Sequence, residues 1–309
     1  MNTYTLGIDV SKYQDSNYTV IQPNFQTAYA NGARFVIVRG ASGPYVDEDF
    51  KYNYLTSKAA GLLRGVYHWL DYTTLAGLTA EQAYNKMASD ARALVVALGT
   101  DKPELGIFAD WERPNLEYPA LPPYEISIAA LRGWYSTVDA YMGSKTKVGL
   151  YGNYYVTIDN ISPVPDDIKS RPLWIASYPV ATIPLETFIL ETTFKPLIDP
   201  WAAWIFWQFS MKGSGTAYGM ESGYVYLDVF PGTLDDLKAY AGVVVAEPEL
   251  PIDEILATMT ELEEADEALN IRLDLLSVEM KKILDTVNNH SNRIAEILTK
   301  IEKVKQALA

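Results

Sequence analysis

From Ile252 onward a seven-residue repeat runs for eight heptads without a stutter, and a stretch patterned this way folds as one long helix that needs other helices. Positions a are Ile252, Met259, Asp266, Leu273, Met280, Val287, Ile294, Ile301 and Leu308; positions d are Ile255, Leu262, Leu269, Leu276, Ile283, His290, Ile297 and Val304. Fifteen of these seventeen positions are apolar, whereas an ordinary amphipathic helix drifts out of strict sevens. The segment therefore reads as a coiled coil. At ~1.5 Å per residue it is roughly 85 Å long, too long to pack fully on a small globular domain, so a homo-oligomer through residues 252–309 is expected. Leu256, Leu284 and Leu298 at e positions widen the apolar stripe, and Ile or Val at both a and d favours three or more strands, with a trimer the expected order. Residues 252–270 carry seven acids and no base, and residues 271–309 seven bases and five acids, a polarity that suits either antiparallel pairing or a single helix macrodipole. His290 sits at d within Asn288-Asn289-His290-Ser291-Asn292, a polar core position of the kind that fixes register.

Ahead of the repeat, Ala246-Glu247-Pro248-Glu249-Leu250-Pro251 reads as a linker, and no Gly, Pro, Trp, Tyr or Phe follows it. The expected organisation is a domain over 1–245, a linker over 246–251 and the coiled coil over 252–309. Residues 1–245 are patterned differently. Apolar runs at 5–10, 34–39, 63–68, 105–110, 147–152, 172–176, 204–209 and 224–229 read as eight strands, with helical patterns between many of them, notably 79–98 and 124–142. Eight strands alternating with helices favour an α/β chain closed as a (β/α) TIM-like barrel.

Reactive groups of such barrels gather at the C-terminal ends of the strands. Here those ends carry Asp9, Arg39, Tyr67 with His68, Asp110, Tyr151, Trp207 with Gln208, and Asp228. The fourth strand runs out as Gly106-Ile107-Phe108-Ala109-Asp110-Trp111-Glu112, and strand alternation puts Asp110 and Glu112 on one face with Trp111 on the other. Paired carboxyls suit glycosidic cleavage, in which one keeps its proton for the leaving oxygen while its neighbour stabilises the developing positive charge. Mutual repulsion and partial burial are expected to raise one pKa and not the other. Taken alone, Asp-x-Glu serves equally well as a loop cap. What points to a sugar cleft is the whole set: carboxylates for chemistry, flat rings for stacking, amides for hydroxyls. Tyr67, Trp174 and Trp207 also suit an aromatic core, and His68 a structural hydrogen bond.

A net charge of −14 without a Lys/Arg cluster opposes binding to nucleic acid or an anionic membrane. No apolar run approaches the roughly 18 residues that cross a bilayer, and Met1 to Asp9 carries neither the basic nor the apolar segment of a signal peptide. With no cysteine and two histidines, a Cys-ligated or His-rich metal site is excluded and no cofactor is expected. A Ser-His-Asp hydrolase would have to use His68, and no Gly-x-Ser-x-Gly elbow supports it.

Eight blocks, in order, resemble glycoside hydrolase family 25, the Chalaropsis-type lysozymes found in many phage endolysins. They are Gly7-Ile8-Asp9-Val10-Ser11 with Gln14, Arg34 to Arg39, Tyr45-Val46-Asp47 with Phe50, Gly65-Val66-Tyr67-His68, Asp110-Trp111-Glu112, Leu150-Tyr151-Gly152-Asn153, Leu173 to Tyr178, and Trp207-Gln208-Phe209-Ser210. The resemblance spans about residues 5 to 235. It implies an irregular (β/α) barrel that hydrolyses the β-1,4 bond between N-acetylmuramic acid and N-acetylglucosamine in bacterial peptidoglycan, with no metal. Matched position by position, it makes Glu112 the general acid, has Asp110 orient or stabilise the substrate's acetamido group or the cationic intermediate, and gives Asp9 to the acidic cleft. Asp228, Tyr67, Tyr151, Trp174, Tyr178, Trp207, Gln208 and Arg39 are the expected substrate contacts. The last strand departs from the family's Asp-x-Asn-x-Phe: aligned on Phe230, Tyr226 stands where the Asp belongs and Asp228 where the Asn belongs. The segment 179–203, with Trp201, reads equally as a lid, a wall-binding loop or padding. The resulting expectation is a phage lysin held in the host cytoplasm until release to the wall, or associated with the virion. The rival is a non-catalytic glycan-binding component of a phage particle, against which the retention of Asp9, Asp110 and Glu112 argues.

Overall fold

The structure is a computed structural model that describes residues 4–15, 21–113, 115–179, 194–243 and 252–308. It divides into two compact units, Met1–Val245 and Ala246–Ala309. The expected linker, 246–251, and most of the segment expected as a lid or loop lie outside the described residues.

In the first unit the strands are β1 Thr5–Val10, β2 Phe35–Ser42, β3 Tyr45–Val46, β4 Leu63–Trp69, β5 Gly106–Asp110, β6 Val148–Gly152, β7 Leu173–Ala176, β8 Phe206–Ser214 and β9 Tyr224–Phe230. Hydrogen bonding runs β1-β9-β8-β7-β6-β5-β4-β2-β3, and β1 also pairs with β2, which closes eight strands into a barrel and leaves β3 as a flap on β2. Within the barrel the pairs from β1 round through β2 and β4 to β8 are parallel, β9 runs antiparallel to both its neighbours, and the β3 flap runs antiparallel to β2. The eight strands expected from the sequence all form, within two residues at their starts.

Period two sorts each strand into an outer and an inner face. Outward residues such as Ile8, Val36, Val38, Val66, Ile107 and Leu150 join one large core with the helices. Among these are α1 Phe25–Ala30, α2 Phe50–Ala59, α3 Ala80–Leu98 and α4 Tyr124–Met142. α3 starts at a capping box of Thr79 with Gln82, and α4 stops at Gly143 in the left-handed conformation. The lower inner face holds a separate aromatic floor of Phe35, Phe108, Phe206 and Phe230. Two inward glycines make room for it: a Cβ on Gly7 would come within 2.3 Å of the Phe35 ring, and one on Gly149 within 2.7 Å of Phe108. The helix Leu234–Ala241 plugs the barrel from below, Tyr240 lying against Phe206 and Phe230.

The second unit is a single helix, Ile252–Leu308. Of its heptad core, Leu273, Leu276, Ile283, Val287, Ile294 and Ile297 are all exposed in the single chain.

Candidate active site

Above the aromatic floor the inner faces turn polar. Asp9, Asp110, Gln208 and Asp228 are buried there, Arg39 and Tyr67 are partly buried, and Glu112 follows β5 at the rim. β5 ends at Asp110, so Glu112 is not a strand residue as the alternation argument assumed. The outcome for Trp111 is the expected one: it turns outward, fully buried, and its Nε1–H donates to Asn160 Oδ1 at 3.1 Å.

A chain of hydrogen bonds converges on Asp9. Tyr151 and Tyr178 both donate their hydroxyls to Gln208 Oε1, the former at 2.9 Å. Two donors on that oxygen fix the amide's orientation, which aims Nε2–H at Asp9 Oδ2, 2.6 Å away. From the other side Asp228 contacts Asp9, and Asp228 Oδ1 itself accepts the Trp174 indole N–H at 2.7 Å. Among the described residues the cation that acts on Asp110 is Arg39, which donates Nε–H to Asp47 Oδ2 at 2.5 Å and lies over the Tyr13 ring at 4.8 Å.

Burial decides the electrostatics. It pushes Asp9 up to about 7, the hydrogen bonds from Gln208 and Asp228 pulling the other way. Glu112 also rises to about 7, through burial and the nearby charge of Asp9. Asp110 and Asp228 go well above the usual carboxylate range, again chiefly by burial; repulsion from Glu112 adds to it for Asp110 and Arg39 opposes it. The expectation that only one acid would be raised is thus corrected. Eight converging strands desolvate all four carboxyls, not just one of a pair. Such a set holds protons near neutrality and has ionised neighbours to stabilise positive charge, which is what acid-catalysed cleavage of an acetal needs.

The rings divide by face. Tyr67 and Tyr178 reach the open side, Tyr178 being 41% exposed. Trp174 and Tyr151 lie under them, centroids 4.2 Å apart, as a buried floor and not as open stacking surfaces. Trp207 is a correction. It faces away from the barrel interior, buried in the outer core, and donates Nε1–H to Ser177 O at 2.7 Å, so it cannot contact a ligand in the cleft. Trp201 is likewise a buried packing residue, bonded to Arg171 O at 3.1 Å. His68 turns outward too: it receives the Trp134 indole N–H on Nδ1 at 3.0 Å, donates Nε2–H to Gly43 O at 2.7 Å, and burial lowers it to about 4. Two residues named in the sequence comparison, though not among the expected site residues, also contribute. Asp47, whose backbone N–H bonds Gly40 O, returns on the β3 flap to hold Arg39. Tyr226, opposite Asp9 in the β1–β9 register, is 36% exposed and feels the charges of Asp9, Glu112 and Asp110.

Residues 8–217 match the family described as Glycosyl hydrolases family 25. The chain belongs to that family. It is therefore a glycoside hydrolase, and no curated protein sequence matches it. Among the solved structures that share this fold are the following three. The bacterial lysozyme from Streptomyces coelicolor is 20% identical with a TM-score of 0.58, the match covering 78% of this chain and 98% of that one. The family 25 lysozyme from Aspergillus fumigatus is 21% identical with a TM-score of 0.56, covering 77% and 99%. The CTP1L endolysin is 22% identical with a TM-score of 0.53, covering 77% of this chain and 70% of that one.

Proposed function

We propose that this family 25 enzyme is an N-acetylmuramidase that cleaves the β-1,4 bond between N-acetylmuramic acid and N-acetylglucosamine in peptidoglycan. The observation that carries the reading is Glu112, partly buried at the rim beside Asp9 and Asp110 and raised to about 7, so that it holds a proton to give while remaining reachable from the cleft. Glu112 donates that proton to the glycosidic oxygen, and the C–O bond on the muramic acid side breaks. Asp110 and Asp9 stabilise the positive charge or the acetamido group beside it. Water delivers hydroxide to the anomeric carbon, and its remaining proton restores the acid. The neighbours named as lysozymes and as an endolysin support the substrate class.

The C-terminal helix is proposed as a coiled coil joining several catalytic barrels, a trimer by its a and d residues, which raises avidity for a polymeric substrate. In that form the enzyme acts as a phage endolysin or virion-associated lysin. Among the described residues no helix is long and apolar enough to cross a membrane.

The test is release of reducing ends from purified peptidoglycan by the full chain and by Glu112→Gln, with mass spectrometry of the new terminus. Muramic acid at that terminus, absent with the variant, supports the reading; binding without release, on walls of several chemotypes, moves it to a glycan-binding component of a phage particle. The wild-type rate is expected to fall as pH rises through about 7, where Glu112 loses its proton. Sedimentation of the full chain against one ending at residue 245 reads the oligomer.

A further inference from the structure

The transposed acid of the last strand has a job that its position makes legible. Asp228 has no exposed surface, so it does not touch a substrate in the cleft as the sequence suggested. Its Oδ1 accepts the Trp174 indole N–H at 2.7 Å, but its Oδ2 is buried with no donor directed at it among the described residues. The neighbour it contacts is the carboxyl of Asp9, itself an acceptor. An ionised Asp228 would leave Oδ2 unsatisfied and set two buried negative charges together, each costly. A proton on Oδ2 removes both difficulties, since the hydroxyl then donates to Asp9. Asp9 already takes the Gln208 N–H on its Oδ2 at 2.6 Å, so a second donor from Asp228 adds to a carboxylate that is held by hydrogen bonds.

We propose that Asp228 is a positioning residue that works as a neutral carboxylic acid, donating a hydrogen bond from Oδ2 to Asp9 and so holding Asp9 in place and in its charged form. Every donor in the network then points the same way: Tyr151 and Tyr178 into Gln208, Gln208 into Asp9, Trp174 into Asp228, Asp228 into Asp9. An asparagine at 228 would place a carbonyl under Trp174 and an N–H toward Asp9, reproducing both bonds. The carboxyl at this depth is thus an amide equivalent. Asp9 on β1 and the Trp174 indole bear on its proton directly; around Asp9 stand Tyr67 on β4, Asp110 and Glu112 at the end of β5, Tyr151 on β6, Tyr178 after β7 and Tyr226 on β9, with Arg39 on β2 facing Asp110 and Tyr67. Burial and the neighbouring charge of Asp9 favour the protonated form, in agreement with the upward displacement of Asp228.

The inference rests on the hydrolase reading, and its experiment has one arm that needs no substrate. In the full chain, Asp228→Asn is expected to keep kcat within about tenfold of wild type, while Asp228→Ala loses a further ten- to hundredfold, as about one charge-assisted hydrogen bond implies. The acidic limb of the kcat profile should move to higher pH in Asp228→Ala, where Asp9 has lost a donor, and stay in place in Asp228→Asn. Equal collapse of both variants would show that an ionised Asp228 is required and would overturn the proposal, as would full activity in both. The second arm is thermal unfolding. A carboxyl raised in the folded state loses stability as pH climbs above its unfolded pKa, so the Tm advantage of Asp228→Asn over wild type should grow between pH 5 and pH 8. A gap that is constant or reversed overturns the neutral-acid assignment even if no peptidoglycan is cleaved. Failure of wild type to release sugar, with the widening gap intact, counts against the muramidase reading alone.

Discussion

Phe108 and Asp110 stand two residues apart on the same face of the same strand, and they belong to different worlds. Phe108 meets Trp174 and Phe206 edge-on at centroid distances of 5.8 Å, fully buried in an apolar floor. Asp110 is buried too, yet among the described residues its Oδ1 has no hydrogen-bond partner, and its charge is opposed by Glu112 and Asp9. The floor contributes stability through area removed from water, at about 25 cal/mol per Å². The layer above it spends some of that stability on desolvated carboxyls. One β-strand thus carries both halves of a stability–activity trade, separated by about 7 Å of backbone rise.

Substitution at these two positions should separate the two halves. Asp110→Asn is expected to lower kcat on peptidoglycan by about 10²–10³-fold, the scale of removing one electrostatic stabiliser, while leaving the fold intact. Phe108→Ala should do the reverse, costing about 3–5 kcal/mol of unfolding free energy in urea titrations with kcat per folded molecule nearly kept. If both variants lose stability together, the layers are not separable and the comparison fails.

A weaker effect sharpens the contrast through pH. Asp9 and Glu112 are raised to about 7 in the folded enzyme, so between the ordinary carboxylate pKa and about 7 the native state binds more protons than the unfolded one. Stability then falls as pH rises through that window, by on the order of a few kcal/mol in total. Urea unfolding from pH 4.5 to 8 checks the sign. Asp110→Asn should flatten the slope, and Phe108→Ala should lower the curve without changing its shape.

The strands were legible because each is a run of apolar residues at period two, and α4 was legible residue for residue because its pattern is long and its stops are a proline and a glycine. The acids at the strand ends followed from the barrel. Trp207 did not, since neighbouring residues on a strand face opposite ways and the block Trp207-Gln208 does not say which one looks inward. The ion pair of Arg39 with Asp47 was hidden because it depends on the β3 flap folding back along β2, a two-residue strand with no pattern of its own. The shared rise of the four acids was hidden for a different reason: burial of Asp110 is the work of all eight strands, and no local window contains it.

The smallest expected effect concerns two tryptophans on adjoining strands. Trp174 pairs with Phe206 in the β7–β8 register and looks into the barrel; Trp207, paired with Ile175, looks out. Each donates one indole N–H over 2.7 Å, the first to Asp228 and the second to Ser177 O. Replacement by Phe removes a hydrogen bond worth about 1 kcal/mol from each site and leaves a carbonyl or carboxyl oxygen short of one donor. Trp207→Phe should therefore lower Tm by a few degrees without moving kcat or its pH dependence. Trp174→Phe should cost a similar amount of stability and also lower kcat several-fold, because the oxygen it abandons belongs to the network that holds Asp9. Equal kinetic damage from both would return Trp207 to the cleft and undo the division of inner from outer rings.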